Sequence, residues 1–219
     1  MSQLETAPGF FGKVTSHGDF VSRRLPPAFL DVWDSWLQQS IHTSKKQLDA
    51  AWLDTYLTSP IWRFALSNGV VDGNAWAGVL MPSVDRVGRH FPLMIAAGIA
   101  AQAPLLDWLG NGKAWFDELE TLALSSLESN FLLDDFDAAL QQKSALAAPA
   151  SLGGQAPAGG DPGGWCLPIS DLDQVQAGMS ALTSDIAQSL LAGHSLWWTD
   201  GSPHVLPSVL LCRGLPEPA

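Results

Sequence analysis

Two short polar segments stand out in a chain otherwise poor in charge: His17, Asp19, Arg23 and Arg24 form one, and Asp85, Arg86, Arg89 and His90 the other. A guanidinium presents its donors as a planar fork that matches carboxylates and phosphates, so such a set can recognise an acidic or phosphorylated peptide. The same residues can instead close on one another as an internal ion-pair network that pins long loops to a sheet. Arg63 belongs to the same question. It sits inside the apolar stretch Ile61-Trp62-Arg63-Phe64, where a buried guanidinium needs a carboxylate, and Asp19 and Asp85 are the expected partners. His17, Asp19, Arg23, Arg63, Asp85, Arg86 and Arg89 are therefore the candidates for binding a partner or ligand, and Asp19, Arg23, Asp85, Arg86 and Arg89 are expected to converge near one edge or end of a sheet with Arg63 close by.

Other chemistry is less well supported. Gly12-Lys13 lacks the rest of a phosphate-binding loop, because Ala7 stands where the first glycine is required and Val14 follows the lysine. His17 and Asp19 have a spacing that could place two metal ligands together, but zinc needs three or four and no third is apparent. Gly193-His194-Ser195 is not flanked as a serine nucleophile, and it reads as a helix end entering a strand. No residue is a convincing nucleophile or base, so the chain is expected to be a non-enzymatic binding module that needs no cofactor. The alternative is a small-ligand sensor or cryptic enzyme using the Asp/Arg loops at 16–24 and 82–92.

Several elements must position these loops. A strand over Phe10 to Thr15 is followed by a polar stretch, Ser16 to Arg24, and Pro26-Pro27 then opens a helix whose apolar face repeats at Leu30, Trp33, Leu37 and Ile41. A short helix over Asp49 to Leu57 ends before Ser59-Pro60. Strands are expected over Ile61 to Leu66, Trp76 to Met81 and Leu93 to Ile99. The last two are apolar on both faces, as in central strands covered on both sides. The connection between them, Pro82 to Pro92, has eleven residues where two to five usually close a hairpin, which marks it as functional. Amphipathic helices are expected over Ala114 to Ser129, over Asp134 to Gln142 and again over Leu172 to Leu190. The strands Ser195 to Thr199 and Ser208 to Arg213 follow, joined through Asp200-Gly201. Trp33, Trp62, Trp76 and Trp197 fall on apolar faces and are expected in the core.

This order predicts α/β architecture, an α/β sandwich around a largely antiparallel sheet. At 219 residues the chain is one domain's worth, with a flexible Gly/Pro/Ala-rich loop at 144–164 that carries six glycines and a single charge. Residues 1–90 hold eight basic and eight acidic residues, so the remainder carries the whole net charge of −11. Without a Lys/Arg stripe neither nucleic acid nor an anionic membrane surface is a fitting partner. Met1 to Lys13 has no basic start followed by an apolar run, and no apolar stretch approaches spanning length, so no membrane insertion is expected. Cys166 and Cys212, without metal-like spacing, read as buried thiols in a reducing compartment, and the cytoplasm is the expected location.

The segments Pro8-Gly9-Phe10-Phe11-Gly12-Lys13, Gly18-Asp19-Phe20-Val21-Ser22-Arg23 and Ser59-Pro60-Ile61-Trp62-Arg63-Phe64 are parts of a longer co-linear pattern. It continues through Gly78 to Arg89, Phe91-Pro92-Leu93 and Ser195-Leu196-Trp197-Trp198-Thr199. This pattern resembles the TagF/ImpM family of type VI secretion accessory proteins over most of the chain, apart from the insert at 144–164. The resemblance implies a cytoplasmic, post-translational negative regulator of that machine's assembly or firing. It also implies a forkhead-associated scaffold protein of the system as partner, alongside a Thr kinase and phosphatase pathway. The fold it implies is an α/β/α sandwich, longin-like or signal-recognition-receptor-like.

Overall fold

The structure is a computed structural model that describes residues 7–99, 105, 108, 112–143 and 190–218. The segment 144–164, Cys166 and the helix expected over 172–190, save Leu190, lie outside the described residues.

Seven strands form one sheet in the order β2-β1-β5-β4-β3-β6-β7. They are β1 (Gly9–Gly12), β2 (Val21–Arg23), β3 (Trp62–Leu66), β4 (Ala75–Met81), β5 (Leu93–Ile99), β6 (His194–Thr199) and β7 (Ser208–Arg213), and every neighbouring pair is antiparallel. Because strand side chains alternate between faces, β3 and β4 feed two separate cores. Phe64, Leu66 and Trp76 point to one layer, and Ala65, Ala77 and Val79 to the other.

Helix α1 (Pro27–Leu48) covers the first layer. Pro27 sits in its first turn, where the missing N–H costs nothing, and Phe29, Trp33 and Leu37 recur every four residues as its buried stripe. The Trp33 ring lies 4.9 Å from Phe64 and 6.0 Å from Trp197, which locks the helix across β3 and β6. The helix ends at Asp49, whose φ of 44° is incompatible with continuation. A short helical turn at Asp49–Ala51 leads into α2 (Trp52–Leu57).

The second layer is covered by α3 (Lys113–Ser125), with Phe116, Leu119 and Ala123 buried, and by α4 (Leu133–Gln141), with Phe136 and Leu140 buried. Helices thus lie on both faces of an antiparallel sheet, as the element order predicts.

Three expectations are corrected. The polar stretch 16–24 contains strand β2, because Val21 to Arg23 pair with β1. Trp33, Trp76 and Trp197 are buried, but Trp62 is half-buried at the start of β3. Cys212 is half-buried rather than buried, since it lies on the outermost strand β7 beside exposed Val209, Leu210 and Leu211.

Candidate functional site

The long β4–β5 connection and the β1–β2 connection meet beside the sheet, and sheet order explains why. With β1 hydrogen-bonded to β5 and β5 to β4, the chain leaving β1 after Gly12 comes alongside the chain entering β5 at Pro92. Gly12 is required there. Its φ is 143°, and a Cβ at that position would lie 2.1 Å from the Pro92 carbonyl oxygen.

Within 82–92 the backbone continues as a narrow ladder: Phe91 N–H donates to Ser83 O at 3.1 Å and Asp85 N–H to Arg89 O at 3.1 Å. Gly88, at φ 84°, closes the turn. Tyr56 anchors its base from α2, since its hydroxyl donates to Ser83 O at 2.8 Å and accepts from Ser83 N–H at 2.9 Å. Burial pushes the phenol far above its usual range, against a smaller opposing effect of the Ser83 backbone.

Asp85 is the hub of the assembly. Its side chain is fully shielded from solvent, and it accepts from Lys13 Nζ at 2.7 Å and from Arg89 Nε at 2.7 Å. Two backbone N–H groups, of Val87 at 3.0 Å and Arg89 at 2.8 Å, complete its ligation. Burial alone would raise this carboxyl, but Lys13, Arg89 and the Val87 amide outweigh it and hold Asp85 well below the usual carboxylate range. A carboxylate so clamped is a structural anion rather than a proton acceptor.

The two loops are joined directly as well: Arg86 N–H donates to His17 O at 2.9 Å, and Arg89 Nη2 donates to Gly18 O. Phe20 stacks on Phe11 at 5.5 Å and meets Phe91 edge-on at 4.8 Å, with the Lys13 ammonium 5.1 Å from its centroid.

The structure therefore brings together His17, Asp19, Asp85, Arg86 and Arg89. His17 is exposed and accepts or donates at Nδ1 to Ser16 Oγ at 2.8 Å, and the exposed Asp19 carboxylate accepts the Phe20 N–H at 2.8 Å. Arg86 is exposed beside Gly18, while Arg23 is exposed on β2 with its guanidinium on the Ser22 carbonyl.

Arg63 is the correction. Its partners are neither Asp19 nor Asp85. The guanidinium bonds Glu120 through Nε at 2.6 Å, with Asp117 and Asp200 each at 3.1 Å from Nη2. On β3 it shares the face of Ala65, so it points at α3 and the β6–β7 turn. Burial works against its charge, but Glu120 first, then Asp200 and Asp117, keep it firmly protonated.

Lys13 is the residue that sequence reasoning missed. Gly12-Lys13 does not complete a phosphate loop, but a lysine between Phe10-Phe11 and Val14 poses the same demand for a carboxylate as Arg63 does. Among the described residues no cluster of three His, Cys, Asp or Glu is placed to hold a metal, and no helix is long and apolar enough to cross a membrane.

Comparison with known proteins decides the family. The model of the TagF N-terminal domain, type VI secretion system-associated, matches residues 9–143. The chain belongs to the TagF family. The crystal structure of PA0076 from Pseudomonas aeruginosa PAO1 superposes with a TM-score of 0.83 at 37% identity, covering 97% of this chain and 90% of that one. A search of curated proteins finds no match. The matched TagF region spans both loops, Arg63, α3 and α4, so the Asp85 hub lies within the part that defines the family.

Proposed function

We propose that this accessory protein of the type VI secretion system is a non-enzymatic, cytoplasmic regulator that restrains assembly or firing of the machine by binding another protein. Its contact surface is the outer side of the paired loops, and the partner is a forkhead-associated scaffold protein of the system. The observation that carries this reading is the division of labour around Asp85. The buried carboxylate uses Lys13 and Arg89 to build the loops. That leaves Arg86, Arg23 and His17 outward beside exposed Phe20 and Val87, which are 43% and 65% accessible. Exposed guanidinium groups next to large apolar side chains are what a polar-rimmed protein contact requires. Their local charge also opposes the net −11 of the chain, which suits an acidic or phosphorylated partner surface.

The test is Arg86→Ala, in a host whose own copy is deleted. The fold should be unaffected, with unfolding changed by no more than about 0.5 kcal/mol as at ordinary surface sites. Repression of secretion and capture of the scaffold should both be lost. A variant that is normally stable, fully repressive and still captures the scaffold would remove the loop surface from the function.

A further inference from the structure

Away from the guanidinium surface, a cavity of about 290 Å³ lies between α1 and the ends of β3 and β4. Its walls are Trp36 and Ile41 of α1, Tyr56 of α2, Trp62 of β3, and Pro82 and Pro92 at the two ends of the long connection. The hydroxyls along it do not compete for a ligand. Ser40 donates to Trp36 O at 2.9 Å, Ser44 to Ile41 O at 3.0 Å and Ser59 to Thr55 O at 2.7 Å. The groove therefore combines aromatic and pyrrolidine walls with indole N–H donors, among them that of Trp36.

The Trp36 donor is already engaged by this chain. After β7 the backbone crosses beside β6, with Gly214 N–H on Gly193 O at 2.7 Å and Ser195 Oγ on Gly214 O at 2.5 Å. Leu215 then packs against the core under α1, and Trp36 Nε1 donates to Pro216 O at 2.7 Å. Pro216, Glu217 and Pro218 go on to form one side of the cavity. In this segment each proline has its φ fixed near −65°, and Leu215 and Glu217, each preceding a proline, are pushed to extended backbone. After the bend at Leu215, these restrictions favour polyproline II backbone through Pro216–Pro218, a conformation that needs no internal hydrogen bond. Pro216 and Pro218 contribute carbonyl acceptors but no N–H donors of their own, so the segment offers more acceptors than donors. An indole N–H rising from an aromatic trough is the group that reads such acceptors.

We propose that this groove is a docking site for an extended, proline-rich peptide of a partner protein, and that Leu215–Pro218 occupies its rim as an intramolecular ligand which the partner displaces. Stiff proline-restricted segments bind such troughs because little conformational entropy remains to be lost. The same segment held in cis lowers the apparent affinity for an outside peptide by the fraction of time it is released.

The test uses the full chain and a labelled peptide carrying the Leu-Pro-Glu-Pro sequence of residues 215–218 twice in tandem, followed by fluorescence anisotropy. A chain carrying Leu215→Ser with Pro216→Gly, which frees the groove, should bind this peptide at least about tenfold more tightly than the unaltered chain. Adding Trp36→Phe, which keeps an aromatic ring but has no N–H, should cost most of that gain while thermal unfolding stays cooperative. A peptide with alanine for every proline should not bind. If the double substitution unfolds the chain, Pro216→Gly alone serves the same comparison. The proposal is overturned if the freed chain does not bind, if freed and unaltered chains bind equally, or if the alanine peptide binds as well. It is also overturned if sedimentation shows dimers that depend on Leu215–Pro218, since the occupant is then a second copy of the chain.

Discussion

Trp76→Ala measures how much of this fold rests on the aromatic layer beneath α1. Trp76 is 1% exposed on central strand β4, its ring centroid is 4.3 Å from that of Phe29, and its indole N–H donates to Asp72 Oδ1 at 2.9 Å. Deleting a buried aromatic of this size costs about 3–5 kcal/mol, the transfer of the ring to water plus the cavity left behind. The lost hydrogen bond adds little, because Asp72 Oδ1 still accepts the Asn74 amide at 2.8 Å. Unfolding entropy of about 2.1 cal/mol/K per residue gives roughly 0.46 kcal/mol/K for this length, so a loss near 4 kcal/mol lowers Tm by about 9 °C. Trp76→Phe keeps a ring against Phe29 and should lose only about 2 °C by the same conversion. Scanning calorimetry with near-ultraviolet circular dichroism reads both. A Trp76→Ala shift below about 2 °C, or equal shifts for the two variants, would refute the reasoning that the β4 indole is a packed core group.

Three further outcomes follow from the same contacts. Asp85 is held below its unfolded pKa of about 3.9, so its stabilising contribution is complete above that value and fades as pH falls toward the folded pKa. Asp85→Asn should therefore lower Tm at neutral pH and flatten the acid limb of the Tm–pH curve, and an unchanged acid limb would contradict the buried ion pair. Gly12→Ala should cost roughly 1–3 kcal/mol from backbone strain alone and loosen the paired loops, read as faster amide exchange at Asp85 and Arg89. The Cys212 thiol, raised by burial, should react slowly with iodoacetamide at pH 8 and continue to accelerate above pH 9, whereas a rate already on its plateau at pH 8 would mean a lowered pKa.

Much of the scaffold is legible in the sequence because strand and helix periods are local properties. The strands at 62–66, 75–81, 93–99, 194–199 and 208–213 follow from short apolar runs bounded by turn residues. The buried face of α3 follows from repeats of three and four, and that of α1 in part, since Trp33 and Leu37 are buried with Phe29 whereas Leu30 and Ile41 are only partly covered. The length of the 82–92 connection marks it in the sequence, and so does its polar content in a chain of 15% charged residues. Strand β2 escaped because three residues are too few to show alternation, and only pairing with β1 makes them a strand.

Ion-pair identity is a different kind of information. Arg63, within an apolar strand, announces by its residue type that a carboxylate must be near, but not which one. The choice fell on Glu120, Asp117 and Asp200 because the β3 register turns that side chain to the layer of α3, the face opposite Phe64. Lys13 and Asp85 lie 72 residues apart in sequence and meet at 2.7 Å. Their meeting depends on β1 lying next to β5 rather than next to β3, and a sheet order cannot be read from the strands taken singly. Sequence by itself determined that two charged loops and one buried arginine needed partners. The tertiary structure decided the pairing, because Coulomb and hydrogen-bond energies at these distances depend on which chain segments the sheet makes neighbours.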